Sequence, residues 1–223
     1  MTGRSPFIVG IGGTLRPGST SERALRLVLA RAEQMGARTR IFAGSALKMP
    51  AYDPAEAART PEAAAMVETL RAADGVVIAT PSYHGSITGL IKNALDYTED
   101  LRSDRRVYLA GRAVGSIVCA DGVQAMGATL ATLRAIVHAL RGWPTPFSAV
   151  INSALRPISL EGECTDPQVA QQLAFVAEQV VEFARMRRHY EDRQAEHELG
   201  GVGPPKRSSD GARLIELTLE FMN

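Results

Sequence analysis

The chain has 223 residues, with 25 Lys and Arg balanced against 24 Asp and Glu. That length suits one α/β domain with some surplus and a sizeable core, and the even charge forces no basic face, so nucleic acid is not an expected partner. Cys119 and Cys164 stand far apart without a CxxC, which excludes a disulfide framework and a zinc site and fits a reducing, intracellular setting.

In chain order, the first six residues carry no basic leader, and no later apolar run approaches a membrane span, so a cytoplasmic protein without a membrane partner is expected. Phe7 to Ile11 is a short apolar run that reads as a buried strand. A Gly, Ser and Thr loop follows to Thr20. Ser21 reads as an N-cap, and Glu22 to Met35 as a helix with Leu25, Val28, Leu29 and Ala32 on one face. Arg38 to Phe42 is a second strand. After a proline-containing loop over Lys48 to Pro61, the pattern predicts a helix over Glu62–Ala73, a strand over Val76–Ala79 and a helix over Thr88–Tyr97. Ala113 to Val118 is a fourth strand, Val123 to Leu140 a helix ended by Arg141-Gly142, and Phe147 to Ile151 a fifth strand. Pro167 to Arg188 is a long amphipathic helix. Strand and helix alternate throughout, which argues for a doubly wound parallel sheet with helices on both faces. From Tyr190 the composition changes. The chain is therefore divided into a domain over 1–189 and an extension over 190–223, a linker followed by the short apolar segment Leu214–Phe221.

The loop after the first strand presents hydroxyls at Thr14, Ser19, Thr20 and Ser21 and a guanidinium at Arg16, and then opens a helix. Turn amides, hydroxyls and a helix N-terminus together suit a phosphate. Two rival motifs fail on spacing. Gly13 to Gly18 gives GxxxxG, but Ser19 stands where a P-loop needs Lys; Gly10 and Gly12 give GxG, but Leu15 stands where a dinucleotide fingerprint needs its third Gly.

The loop after the third strand reads Thr80-Pro81-Ser82-Tyr83-His84-Gly85-Ser86. In a sheet of order 2-1-3-4-5 the loops after strands one and three lie side by side at the switch point, outside the carboxyl ends. The second loop can then hold a flat ring beside the phosphate. Tyr83 and His84 offer planar faces, and Gly85 permits close backbone approach. Taken alone, His84 reads as a solvated loop histidine and Tyr83 equally as a packing aromatic.

These two stretches, Gly13–Ser21 and Thr80–Tyr97, resemble the NADPH-dependent FMN reductase family of the flavodoxin-like superfamily, with similarity running from about Phe7 to Arg188. The resemblance implies a five-stranded flavodoxin-like sheet of order 2-1-3-4-5 and an FMN whose phosphate is held by Thr14, Arg16, Ser19 and Ser21, with Thr20 in the same loop. Ser21 departs from the Asn common there, but its hydroxyl can still bond phosphate. Pro81, Ser82, Tyr83, His84, Gly85 and Ser86 would line the isoalloxazine, with Asp121 and Gly122 contributed by the loop after strand four. Cys119 reads as a buried small residue rather than a redox thiol. The family also implies a homodimer or homotetramer formed through the helix after the second loop, with Leu90, Ile91, Leu95 and Tyr97 on the shared face; the same residues would serve ordinary helix-to-sheet packing.

The implied activity is that of an NAD(P)H:FMN oxidoreductase. Hydride would pass from NADPH or NADH to FMN and on to a small-molecule acceptor such as free flavin or a quinone, in a ping-pong cycle, with a flavin-dependent monooxygenase as a partner for released flavin. The cofactor carries the chemistry, so no catalytic side chain and no metal are required. Two alternatives are a flavin-dependent biosynthetic oxidoreductase with a specific metabolite substrate, and a non-enzymatic flavodoxin-like electron carrier. Such carriers are usually strongly acidic, whereas this chain carries a net charge of +1.

Overall fold

The computed structural model describes residues 4–199. The opening apolar run forms strand β1 (Phe7–Gly12), five of its six residues buried. The glycine-rich loop then delivers the chain into helix α1 (Thr20–Gln34). Its cap is Ser19, not Ser21. Gly18 takes a positive φ of 65°, which turns Ser19 into extended backbone, and the Ser19 hydroxyl accepts the Glu22 N–H at 3.3 Å. The helix therefore starts two residues before the sequence pattern places it, and Ser21 lies inside its first turn.

Strand β2 (Arg38–Ala43) follows, then helix α2 (Pro61–Ala72), capped by Thr60 with Pro61 in the first helical position, where its missing N–H removes no bond. Strand β3 (Gly75–Pro81) leads to helix α3 (Gly89–Asp96), capped by Thr88. Strand β4 (Ala113–Ala120) is buried over all eight residues and is followed by helix α4 (Val123–Ala139).

The fifth strand position is divided. Trp143–Pro144 (β5) pairs with Ala113 and Val114, and Ala149–Asn152 (β6) pairs with Ile117 to Ala120, both parallel to β4. The sequence pattern predicts one strand over 147–151. Pro144 and Pro146 explain the break, because neither can donate to a ladder between the two segments. The sheet otherwise has the expected order β2-β1-β3-β4-β5 with every pairing parallel.

Alternation along the strands divides the core into two layers. Ile8, Val77, Ala79, Ile117 and Ile151 face α1 and helix α5 (Pro167–Leu199), while Val9, Ile11, Val76, Ile78 and Val114 face α2, α3 and α4. Each fully buried Val, Leu or Ile side chain contributes about 1.5–3 kcal/mol relative to exposure. Small residues let the helices approach closely. A Cβ on Gly10 would stand 2.7 Å from Leu29 Cδ1 of α1, and one on Gly115 would stand 2.6 Å from Val176 Cγ1 of α5. Ile91, Leu95 and Tyr97, expected on a shared face between copies, are instead buried in this core, and only Leu90 is partly exposed.

At the amino ends of the strands, Arg112 is fully buried. It donates to the carbonyls of Ala73, Tyr108 and Arg71 at 2.9–3.1 Å, so its charge serves the connection between α2 and β4.

The chain divides into two compact units, Met1–Arg187 and Arg188–Asn223. Helix α5 does not stop at Arg188. The charged run from His189 continues it to Leu199. The linker and apolar segment expected beyond Leu199 lie outside the described residues. Among the described residues no helix is long and apolar enough to cross a membrane.

Candidate functional site

Three loops meet at the carboxyl ends of β1, β3 and β4, at the point where the sheet order reverses. They enclose a cavity of about 190 Å³. The first loop supplies Thr14, Arg16, Ser19, Thr20 and Ser21, the second Pro81, Ser82 and Tyr83, and the third Cys119, Ala120 and Asp121, with Ser153 added from the turn after β6.

The first loop is ordered by its own polar groups. Thr14 Oγ1 accepts the Arg16 N–H at 3.1 Å and lies 3.2 Å from the Arg16 carbonyl. Glu22 reaches back from α1, and its Oε2 accepts the Gly18 N–H at 3.2 Å. The other oxygen of Glu22 is paired with Arg26 at 2.7 Å, which balances the charge of this nearly buried carboxylate. Ser19 accepts the Glu22 N–H, so its own proton is left to donate; Ser21 Oγ lies 3.3 Å away. Thr20 and Ser21 occupy the first two helical positions, whose N–H groups have no carbonyl partner within the helix. Among the described residues the Arg16 guanidinium has no hydrogen-bond or ion-pair partner. Two buried hydroxyls, two open amides and a free guanidinium therefore converge on one small volume, a donor set suited to a phosphate group.

The second loop is a hairpin turn. Tyr83 and Ser86 exchange backbone hydrogen bonds at 3.1 and 3.2 Å around His84 and Gly85. Both central residues have positive φ, 54° and 79°, the signature of a type I′ turn. This turn is anchored on both sides. The Ser82 N–H donates to the Cys119 carbonyl at 2.8 Å, and the Ser82 hydroxyl meets Thr129 Oγ1 of α4 at 2.6 Å. Tyr83 remains 57% exposed.

Cys119 is 2% exposed, and burial pushes its thiol up to about 12. It stays a neutral thiol across the physiological range and acts as a packing residue at the cavity floor.

A sequence profile of the NADPH-dependent FMN reductases matches residues 6–155. The chain belongs to the NADPH-dependent FMN reductase family. An NADPH azoreductase of Bacillus sp. (strain OY1-2) is 47% identical over 51 residues, 22% of this chain and 29% of that protein. An FMN-dependent NADPH-azoreductase of Staphylococcus haemolyticus is 40% identical over 80 residues, 35% of this chain and 38% of that protein. The chain thus spans well under half the length of these curated relatives. The structure of FerB, a flavoenzyme NAD(P)H:(acceptor) oxidoreductase from Paracoccus denitrificans, superposes with a TM-score of 0.62 over 82% of this chain and 98% of that one, at 21% identity, a likeness of fold.

In this member of the FMN reductase family, nine of the thirteen residues singled out in the sequence line one cavity: Thr14, Arg16, Ser19, Thr20, Ser21, Pro81, Ser82, Tyr83 and Asp121. Four do not. His84, Gly85 and Ser86 form the turn beside it, and Gly122 caps α4. Cys119, Ala120 and Ser153 line the cavity although the sequence motifs did not mark them for it. Ser153 carried a usable signal, since it follows directly on an apolar strand of a parallel sheet and so must stand at a carboxyl end.

Proposed function

We propose that this chain is a cytoplasmic NAD(P)H-dependent flavin reductase that binds FMN with its phosphate in the first loop. One observation carries the reading. The hydroxyls of Ser19 and Ser21, the amides of Thr20 and Ser21 and the Arg16 guanidinium converge at the switch point of a parallel sheet, at the start of a helix. A phosphate dianion meets donors there in every required form, and the helix dipole favours its charge.

The cavity of about 190 Å³ has room for a phosphate and a polyol chain, not for a whole flavin. The Asp121 carboxylate accepts only, so it suits the hydroxyls of the polyol rather than the phosphate. The ring system would extend past Pro81 and over the exposed Tyr83 and the His84–Gly85 turn, which leaves one face open to a nicotinamide. FMN supplies the hydride chemistry when bound. The protein's part is to hold the phosphate, fix the ring against the Tyr83 turn and leave the second face accessible. NADPH or NADH and a small-molecule acceptor then use that open face in turn, in a ping-pong cycle. A homodimer or homotetramer, with free flavin, a quinone or a partner monooxygenase receiving the electrons, completes the reading.

The test is the visible spectrum of the purified protein with FMN added, followed by NADPH or NADH under anaerobic conditions. Bleaching of the flavin bands at catalytic rates is expected. Binding without bleaching would assign an electron carrier instead, and an absence of binding would remove FMN from the site.

A further inference from the structure

The phosphate-loop cavity does not end at Arg16. A second cavity of about 670 Å³ adjoins it, and Arg16, Thr20, Asp121 and Ser153 line both. Its far wall is the loop after β6, which brings Arg156, Ser159 and Leu160, and its near wall carries Arg23 from α1. We propose that this second cavity is a subsite for an adenylate unit, the adenosine phosphate part of a dinucleotide. The proposal rests on the reading of the first cavity as the seat of the FMN phosphate.

The charge of the cavity sets the ligand class. Three guanidinium groups line it, those of Arg16, Arg23 and Arg156, against the single carboxylate of Asp121. Among the described residues, those of Arg16 and Arg156 have no hydrogen-bond or ion-pair partner. Arg23 is held in place by the Gly18 carbonyl and by the Ile158 carbonyl at 3.3 Å, yet its Nε is buried without an acceptor. A buried donor left unpaired is costly, and an anionic oxygen would satisfy it. Glu161, fully exposed near Arg23, has its carboxyl lowered mainly by its own backbone N–H and the Ser159 hydroxyl, with Arg23 a lesser influence.

The remaining surface fits the rest of an adenylate. Ser153 and Ser159 offer hydroxyls for a ribose; Ser159 Oγ already accepts the Glu163 N–H at 3.3 Å, so its proton is left to donate. Leu160 is 84% exposed and Pro17 stands on the opposite loop, which gives two apolar surfaces for a flat base. The wall is preorganised, since Arg156 sits in the left-handed region at φ 48° and Ile158 bridges to Cys164 across the turn. A volume of about 670 Å³ lies within the range of roughly 300–1,000 Å³ typical of small-molecule sites.

Two dinucleotides could deliver the same unit. FAD would continue from the flavin phosphate directly into the second cavity. NAD(P)H would bring its adenosine end there while its nicotinamide reaches the flavin. Calorimetric titration of the full chain and of Arg156→Gln distinguishes them. AMP, FMN and FAD are titrated onto the apoprotein, and NADPH onto the FMN-loaded, air-equilibrated protein under turnover-free conditions with the acceptor removed.

AMP binding should weaken by about five- to fiftyfold in Arg156→Gln, the scale of one charge-assisted hydrogen bond, while FMN affinity stays within about twofold. A matching loss for FAD assigns the subsite to a flavin dinucleotide. A matching loss for NADPH with FAD unchanged assigns it to the nicotinamide dinucleotide. The proposal is overturned if the wild-type chain binds no AMP, or if Arg156→Gln moves none of the three. FMN affinity reads the first cavity separately: a chain that fails to bind FMN but shows Arg156-dependent AMP binding keeps this subsite and loses the flavin reading.

Discussion

The Ser82 hydroxyl lies 2.6 Å from Thr129 Oγ1, which binds the loop after β3 to the buried face of α4. The sequence resemblance gives Ser82 to the flavin, but its hydroxyl is already engaged within the protein. Ser82→Ala is expected to cost about 1–2 kcal/mol of stability, the scale of a buried hydrogen bond whose partner is left behind. FMN affinity of the folded protein should change by less than about twofold. Denaturant titration and flavin fluorescence together check this, and a large affinity loss at unchanged stability would return Ser82 to the ligand set.

Arg16 behaves differently, because its guanidinium has no partner within the protein. Arg16→Ala should leave stability almost unchanged and weaken FMN binding by about 1–3 kcal/mol, the scale of a charge-assisted hydrogen bond. The loss should shrink as salt is raised, since the side chain is exposed. An affinity equal to that of the wild type would show that the phosphate sits elsewhere.

The turn at His84 and Gly85 makes a conformational prediction. Both residues hold positive φ, and a Cβ on Gly85 meets nothing within 4 Å. Any penalty for Gly85→Ala is therefore backbone strain and not collision, about 1–2 kcal/mol. His84→Asn, which tolerates this region better, should raise stability by a few tenths of a kcal/mol. Thermal unfolding of the two variants should shift in opposite directions.

Cys119 links pH to stability. Burial holds its thiol up near about 12 against an ordinary 9.0, so the folded state keeps its proton where the unfolded chain has lost it. The thiol's contribution is thus fully present below about pH 9 and is lost progressively as pH rises from about 9 towards about 12. Cys119→Ala should lose less stability than the wild type between pH 8 and pH 10. Iodoacetamide at pH 8 should label the half-buried Cys164 of the folded protein and reach Cys119 only after unfolding.

The loop over 48–60 has one strong tether. Arg59 grips Asp100 through Nε and Nη2, both at 2.8 Å, and lies over the rings of Tyr52 and Tyr97. Both side chains are more than three-quarters buried, so solvent screens the pair only partly. Arg59→Lys loses the fork and the stacking and should cost about 1–2 kcal/mol in chemical denaturation, with FMN affinity unaffected.

The order of the sheet was legible because β1, β3 and β4 are near-continuous apolar runs, each followed by a helix. The divided fifth strand was not. A pattern of hydrophobicity favours Phe147 to Ile151, while the ladder is decided by which residues can donate, and Pro144 and Pro146 cannot. The start of α1 was misplaced for a related reason. Ser19 and Ser21 are equally good caps in composition, and only the turn at Gly18 selects between them. In the site, side-chain chemistry marked the first loop correctly, because its hydroxyls sit in consecutive positions of one turn. Ser153 and Arg156 escaped notice because they meet that loop only through the packing of β6 beside β4, a relationship separated by more than a hundred residues of chain.

The prolines that divide the fifth strand have a consequence at the rim of the sheet. A long, flat outer strand is a template for another chain to add to, and here no such template exists on that side. The opposite rim is β2, whose exposed Arg38 and Arg40 set like charges against any copy that approached edge to edge. Both borders are thereby closed to strand addition, so the protein should resist fibrillar association even when concentrated. Copies of this chain that do associate must meet through helices and loops, the elements that frame the flavin site.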